Sequence, residues 1–265
     1  VNNRSQLNYI TDFVGYNVYF GWYYDEMEGY DTFFDNFHTD NPQIPLGLSE
    51  YGVDSSVTLH SDAPKRKDYS EEFQALFHEI VYPKVRERKW LWGSYVWNMF
   101  DFGSAIREEG GTKGKNCKGL VTFDRKIKKD AFYYYKAWWS SEPFVYLGSR
   151  RFVNRHTEKI TVTIYSNQPT VELYVNDQFY GAVSSDKVFR FSDVPLQAGK
   201  NFLRVQAGKC TDECTFNRVE NPDPSYVFVD PNPEINVKNW FTLETSEEDL
   251  FPKDRFSIMD TMGDL

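Results

Sequence analysis

The chain has 265 residues, a formal net charge of −9 and a sequence pI near 5.1. It has room for one large domain or two ordinary ones. Its acidic balance argues against a nucleic-acid partner, whose phosphates call for a basic surface. No stretch approaches the roughly 20 apolar residues that span a bilayer, so no membrane partner is expected.

Aromatic residues make up 18% of the chain, enough to fill cores and still leave rings for stacking on sugar C–H faces, though core packing accounts for most of them. Cys117, Cys210 and Cys214 are an odd set at uneven spacing and form no disulfide framework, which favours a reducing compartment and a cytoplasmic location. Val1 to Ser5 carry no apolar signal-peptide core. Cys210 and Cys214 could form half of a metal clip, but the other two ligands of a structural zinc site are not evident. His38, His60, His78 and His156 are scattered without ligand spacing, so no resident cofactor is expected. Nothing in the pattern reads on a divalent cation or sodium.

In chain order, residues 12–19 read as a buried strand and 30–38 as a short helix before Asn41-Pro42. Residues 45–51 form a second apolar run ending in Ser49-Glu50. A helix is predicted from Asp68–Ser70 onward, with Glu71 and Glu72 in its first turn, where acids suit the dipole. Phe73, Leu76, Phe77, Ile80 and Val81 share one face of it, and Pro83 is expected to kink or end it. A third buried run follows at 91–100, then a loop rich in Gly, Lys and Asn over 103–119, then a helix over 128–139. Strands alternating with helices in this way make parallel β/α units.

The pattern changes near Pro143. Period-two alternation in 159–165, 170–175 and 201–206, separated by turn signals, predicts a small antiparallel β-sandwich over about residues 143–219. Residues 220–265, rich in proline at first, read as a linker and the start of a further domain.

Three predicted strands end in polar or aromatic residues: Asn17 and Tyr19, Ser49 and Glu50, Trp97 and Asn98. In a β/α barrel the C-terminal strand ends converge on the active site. A carboxylate closing an apolar run is costly to bury without a task or a partner. The alternative for Glu50 is a salt bridge to a lysine or arginine of a βα loop.

Taken together, Phe13 to Tyr23, Leu46 to Gly52, Gly93 to Phe102 and Asn116 to Lys126 resemble glycoside hydrolase family 2, which holds β-galactosidases, β-glucuronidases and β-mannosidases. The resemblance implies α/β plus all-β architecture. Residues 1–142 would be the C-terminal portion of a (β/α)8 TIM barrel, about strands six to eight, and 143–219 an immunoglobulin-like β-sandwich. It implies a retaining exo-β-glycosidase of bacterial type acting on an oligosaccharide or other glycoside. Glu50 matches the nucleophile and Tyr19 a tyrosine that hydrogen-bonds it. Asn17 and Trp97 fall in the sugar pocket. Asn116-Cys117-Lys118 matches the Asn-x-Lys with which β-glucuronidases hold the substrate carboxylate. The wider run through Ser49-Glu50-Tyr51-Gly52-Val53-Asp54-Ser55-Ser56 resembles β-galactosidase-like members more closely, so β-galactosidase is the first expectation and β-glucuronidase the alternative. A third reading is a carbohydrate-binding or structural fragment, with Tyr165, Tyr174, Phe179 and Tyr180 as candidate rings.

A retaining glycosidase needs two carboxyl groups about 5–5.5 Å apart. The family's acid/base glutamate follows an asparagine at a strand end, and no such pair is present here. Glu26, Glu28, Glu108 and Glu109 fall in turns or loops, and the resemblance gives Asp101 no acid role. The expectation is that the missing N-terminal part of the same enzyme supplies the acid/base residue, that this polypeptide alone is inactive, and that a homo-oligomer is compatible with it.

Overall fold

The structure, a computed structural model, describes residues 6–230. Strands β1 (Val14–Asn17), β2 (Leu46–Tyr51) and β3 (Ser94–Val96) form a parallel sheet in that order. Helix α1 (Gly29–Asp40) connects β1 to β2, and α2 (Glu71–Glu87) connects β2 to β3. Such crossovers are the local consequence of buried apolar strands alternating with amphipathic helices. Phe33, Phe34 and Phe37 of α1 and Phe73, Phe77 and Val81 of α2 bury against Leu46 and Leu48. The Ser70 hydroxyl caps α2 by accepting from the Phe73 amide at 3.1 Å. Pro83 lies inside α2, and the helix runs on to Glu87. The helix does not end at Pro83: the missing N–H forfeits one bond in its last turns, while Tyr82 and Val85 beside it are buried.

Two expectations need correction. The run 91–100 is a strand only over Ser94–Val96; Trp92, Tyr95, Met99 and Phe100 are exposed, because β3 is an edge among the described strands. The segment 103–119 is largely a hairpin rather than a loop. β4 (Phe102–Glu109) pairs antiparallel with β5 (Thr112–Asn116) around Gly110 and Gly111, whose φ values are +61° and +71°. Two consecutive positive-φ residues are what a tight hairpin turn needs, and glycine supplies them without a Cβ clash. Helix α3 (Asp130–Trp139) then leads into the sandwich.

The sandwich has a sheet of β6 (Val145–Leu147), β8 (Lys159–Ser166) and β11 (Val188–Pro195) in the order β11-β8-β6. A second sheet contains β7 (Asn154–Arg155), β9 (Thr170–Val175), β10 (Gln178–Ser184), β12 (Gly199–Ala207) and β13 (Cys210–Arg218), ordered β10-β9-β12-β13-β7. Alternate residues face inward. Ile160, Val162 and Ile164 meet Val171, Leu173, Leu203 and Val205 in one core. Cys210 and Cys214 pack against that core as free thiols, and burial pushes the Cys214 thiol up to about 12. No cluster of metal-ligating side chains occurs among the described residues.

Buried polar pairs fix the sandwich to the helices. The Arg151 guanidinium donates to Glu71 at 2.7 Å and to Asp130 at 3.0 Å, and the Tyr146 hydroxyl donates to Asp130 at 2.9 Å. The Tyr165 hydroxyl donates to Glu79 at 2.6 Å. After β13 the chain makes a short 3-10 turn, Pro224–Tyr226, and returns toward the helical part. The His60 amide donates to the Tyr226 carbonyl at 3.0 Å, and the Phe228 ring packs edge-on to Tyr69 at 5.2 Å. The further domain expected over 220–265 lies, from residue 231 onward, outside the described residues.

His78 is fully buried on α2, where its Nδ1 meets the Tyr135 hydroxyl at 2.9 Å. Burial depresses its pKa from 6.5 to about 3. The unfolded chain therefore takes up a proton below about pH 6.5 that the folded chain refuses, so His78 costs stability as pH falls from there towards 3. In urea unfolding, His78→Phe is expected to flatten that part of the stability profile by up to about 1.4 kcal/mol per pH unit. An unchanged slope would refute the assignment.

Candidate active site

The ends of β1 and β2 bring Asn17, Tyr19, Ser49 and Glu50 together. Asn17 stands opposite Glu50 in the parallel register, and the Val18 amide extends the pairing by donating to the Glu50 carbonyl at 2.9 Å. The Ser49 hydroxyl donates to Asn17 Oδ1 at 2.8 Å. The Tyr19 hydroxyl donates to Glu50 Oε2 at 2.7 Å. Burial, reinforced by the adjacent Glu50 carboxylate, pushes the Tyr19 phenol far above its ordinary value, so it stays a donor. Among the described residues Glu50 makes no ion pair, so the salt-bridge alternative does not hold there.

Trp97 is tied to the end of β2 by its backbone, beside Gly52. The Trp97 amide donates to the Tyr51 carbonyl at 2.8 Å, and a Cβ on Gly52 would lie 2.2 Å from the Trp97 carbonyl oxygen. Only glycine allows this approach. The Trp97–Asn98 peptide is cis, and the Trp97 ring is half-buried, edge-on to Phe102 at 5.7 Å.

Asn116 and Lys118 lie behind this group, and both are buried. Asn116 Oδ1 accepts from the Lys118 amide at 3.0 Å. The Lys118 ammonium contacts the Asp54 carboxylate and donates to the Tyr23 hydroxyl at 2.7 Å. Asp54 also accepts from the Cys117 amide at 3.0 Å and from Arg107 at 3.3 Å. Burial alone would raise the Asp54 carboxyl, but the Lys118 and Arg107 cations more than offset it and hold it below the usual range. Arg107, on the hairpin, further donates to Tyr23 at 3.0 Å and to Glu109 at 2.7 Å. Lys67 completes the cluster 3.5 Å from Glu109. Among the described residues, Lys67, Arg107 and Lys118 have only Asp54 and Glu109 within ion-pair distance, three cations to two carboxylates. The Tyr19 and Tyr23 rings, 5.2 Å apart, join this cluster to Glu50.

Sequence reasoning did not single out Tyr23, Asp54, Lys67, Arg107 or Glu109 for this cluster. Tyr23 and Asp54 lie inside recognised motifs without a role of their own. Arg107 was hidden in a presumed loop, and Lys67 sits in a basic run, Lys65-Arg66-Lys67, that resembles solvated surface. The other carboxylates are engaged elsewhere: Asp101 accepts from Lys129 at 3.0 Å and from the Gly119 amide at 2.8 Å. On the sandwich, Tyr174 packs edge-on to Phe179 at 5.5 Å beneath the Arg204 guanidinium, an arrangement of cross-strand pairing. Tyr165 is buried against Glu79, so it is no ligand platform.

Residues 157–212 match a family described as a domain of unknown function (DUF4982). A β-glucuronidase from Bacteroides fragilis is 39% identical over 83% of this chain and 33% of its own length. The solved FMN-binding β-glucuronidase of Facaelibacterium prausnitzii L2-6 is 46% identical with a TM-score of 0.83, over 85% of this chain and 35% of that one. A solved Bacteroides fragilis protein named as a "putative beta-galactosidase" is 35% identical with a TM-score of 0.74, over 78% of this chain and 33% of that one. Glu50 and Tyr19 meet at the ends of two parallel strands, Trp97 is tied by its backbone to the end of β2, and a sandwich follows. The chain belongs to glycoside hydrolase family 2, as a C-terminal part, and spans about a third of the length of the relatives it matches.

Asp54 is 2% exposed and neutralises cations that would otherwise be buried unpaired. In the full-length protein, Asp54→Asn is expected to lower stability by about 3 kcal/mol or more, read as a lower denaturant midpoint. A midpoint equal to wild type would show that the cations do not depend on it.

Proposed function

We propose that this segment supplies strands six to eight of a (β/α)8 barrel, and the following sandwich, in a retaining exo-β-glycosidase whose substrate is a terminal β-glucuronide. One observation carries the choice of sugar: the surplus positive charge of the Lys67, Arg107 and Lys118 cluster, one aromatic ring beyond the Glu50–Tyr19 pair. A uronic acid brings the single negative charge that balances it, with bidentate geometry suited to a guanidinium and a directed amide donor from Asn116. A neutral galactoside leaves that charge unmatched. This reverses the order expected from the wider motif around Glu50, and the relatives named for β-glucuronide hydrolysis support it; the Bacteroides fragilis protein named for galactoside keeps the other sugar as an outcome of the test.

In this reading the Glu50 carboxylate attacks the anomeric carbon from the face opposite the leaving group and forms a covalent glycosyl-enzyme. Tyr19 holds that carboxylate oriented by its hydrogen bond, and Trp97 walls the sugar. A second carboxyl group, acting first as acid and then as base, completes the cycle by releasing the sugar to water. It comes from outside the residues described.

The test is steady-state hydrolysis of nitrophenyl β-glucuronide and nitrophenyl β-galactoside by the full-length protein. Glucuronide is expected to dominate. Glu50→Gln should lower kcat by about a thousandfold or more, and Tyr19→Phe by about tenfold or more. A preference for galactoside, or full activity in Glu50→Gln, would overturn the proposal.

A further inference from the structure

Lys118 is shut inside the cluster: its side chain is 1% exposed, and its ammonium is occupied by Asp54 and Tyr23. The cations that an arriving anion can reach are Arg107, with its side chain 20% exposed, and Lys67, at 26%. Arg107 is committed to Tyr23, Asp54 and Glu109. Among the described residues Lys67 is committed more weakly, to Glu109 alone, whose Oε2 it approaches while Arg107 takes Oε1, so its remaining N–H groups stay unused. Its nearest carboxylate oxygen, on Glu109, is 3.5 Å away, and Glu109 is already matched by Arg107. The Lys67 ammonium also rests on ring faces, 4.0 Å from the Trp22 centroid and 4.7 Å from that of Tyr23. Ring faces attract a cation without consuming its hydrogen-bond donors. Lys67 therefore carries the surplus charge and has N–H groups to give.

The backbone is built to hold it there. Lys67 and Tyr69 both have positive φ, +68° and +55°, which non-glycine residues adopt at a cost. The Asp68 carboxylate between them fixes the turn by accepting from the Lys65 amide at 2.7 Å and the Ser70 amide at 2.8 Å. Arg66 anchors the loop to the segment after β1, donating to the Trp22 carbonyl at 3.0 Å and the Asp25 carbonyl at 2.9 Å. A lysine meant only for solvent needs no such support.

We propose that Lys67 is a specificity-determining residue that ion-pairs with the carboxylate of an acidic sugar in the Glu50 pocket. The proposal rests on the glucuronide reading above and adds to it a residue outside the Asn116–Lys118 motif. The groups facing Lys67 are Glu109 and Arg107 from the hairpin, Asp54 after β2, Lys118 after β5, Tyr23 after β1, and Tyr69 of its own loop. Burial, only partly countered by Glu109 and Asp54, lowers the Lys67 ammonium to about 8. Its charge, and with it affinity for the acid, is lost as pH rises through that value.

The experiment compares wild type, Lys67→Met and Lys67→Arg in the full-length protein, with kcat and KM on nitrophenyl β-glucuronide and nitrophenyl β-galactoside from pH 6 to about 9.5. Lys67→Met is expected to raise KM for the glucuronide by about tenfold or more and to lower the glucuronide-to-galactoside ratio of kcat/KM by a similar factor. Wild-type kcat/KM on glucuronide should fall above about pH 8, and Lys67→Arg should keep glucuronide turnover while removing that fall. Equal losses on both sugars, or an unchanged KM in Lys67→Met, overturns the role of Lys67 even where wild type prefers glucuronide. A wild type that prefers galactoside overturns both this proposal and the reading beneath it.

Discussion

A buried carboxylate must be matched by donors, and in this protein Asp54 imposes that condition on everything around the site. It lies just past the end of β2, four residues after Glu50, and is almost fully enclosed. To satisfy it the fold brings in the Cys117 amide, the Lys118 ammonium and the Arg107 guanidinium from two other segments. The hairpin and the Asn116–Lys118 turn are thus tied to the same strand end that carries Glu50. Local sequence sets the strand; the unmet charge sets where its neighbours must go.

The same logic acts at the junction between the helices and the sandwich. Glu71 opens α2 and Asp130 opens α3, where each suits the helix dipole, yet both are buried close together. Arg151, at the entrance of the sandwich, offsets burial and holds the Glu71 carboxyl below its usual range, while burial and the Glu71 charge push the Asp130 carboxyl well up. The Tyr165 hydroxyl and Arg190, both on the sandwich, meet Glu79 in the same way. Position of the sandwich is therefore set by charge matching along α2 as much as by apolar area.

Much of this was legible in the sequence, for identifiable reasons. α2 and the alternating strands β8, β9 and β12 announce themselves through periodicity, and β2 through its apolar run; the buried strand expected over 12–19 is a strand only over Val14–Asn17, half-exposed because it is an edge among the described strands. Glu50 stands out because a carboxylate closing an apolar run is costly to bury without a task or a partner, and Tyr19, singled out by the family resemblance, hydrogen-bonds it. The hairpin was missed because its strands are polar on both sides and its glycines read as loop. Pro83 was given too much weight: near a helix end it removes a single bond. The charge cluster as a whole is not legible in the sequence: Lys118 stands out through its motif, but Asp54, Lys67 and Arg107 come from distant segments and nothing local marks them as its partners. The pairing that places Lys118 inside and leaves Lys67 accessible is a tertiary fact.

Phe228 leans on Tyr69, beside Lys67, and its ring also comes within 3.1 Å of where a Cβ on Gly111 would stand, at the tip of the hairpin. The hairpin tip and the loop that carries Lys67 are accordingly packed against chain that follows the sandwich. For protein engineering this means the sandwich is no interchangeable cassette. A graft that exchanged it for a sandwich of different length would shift the returning strap, and a ring that braces Tyr69 and the hairpin tip would be lost without any residue of β1, β2 or β3 being touched.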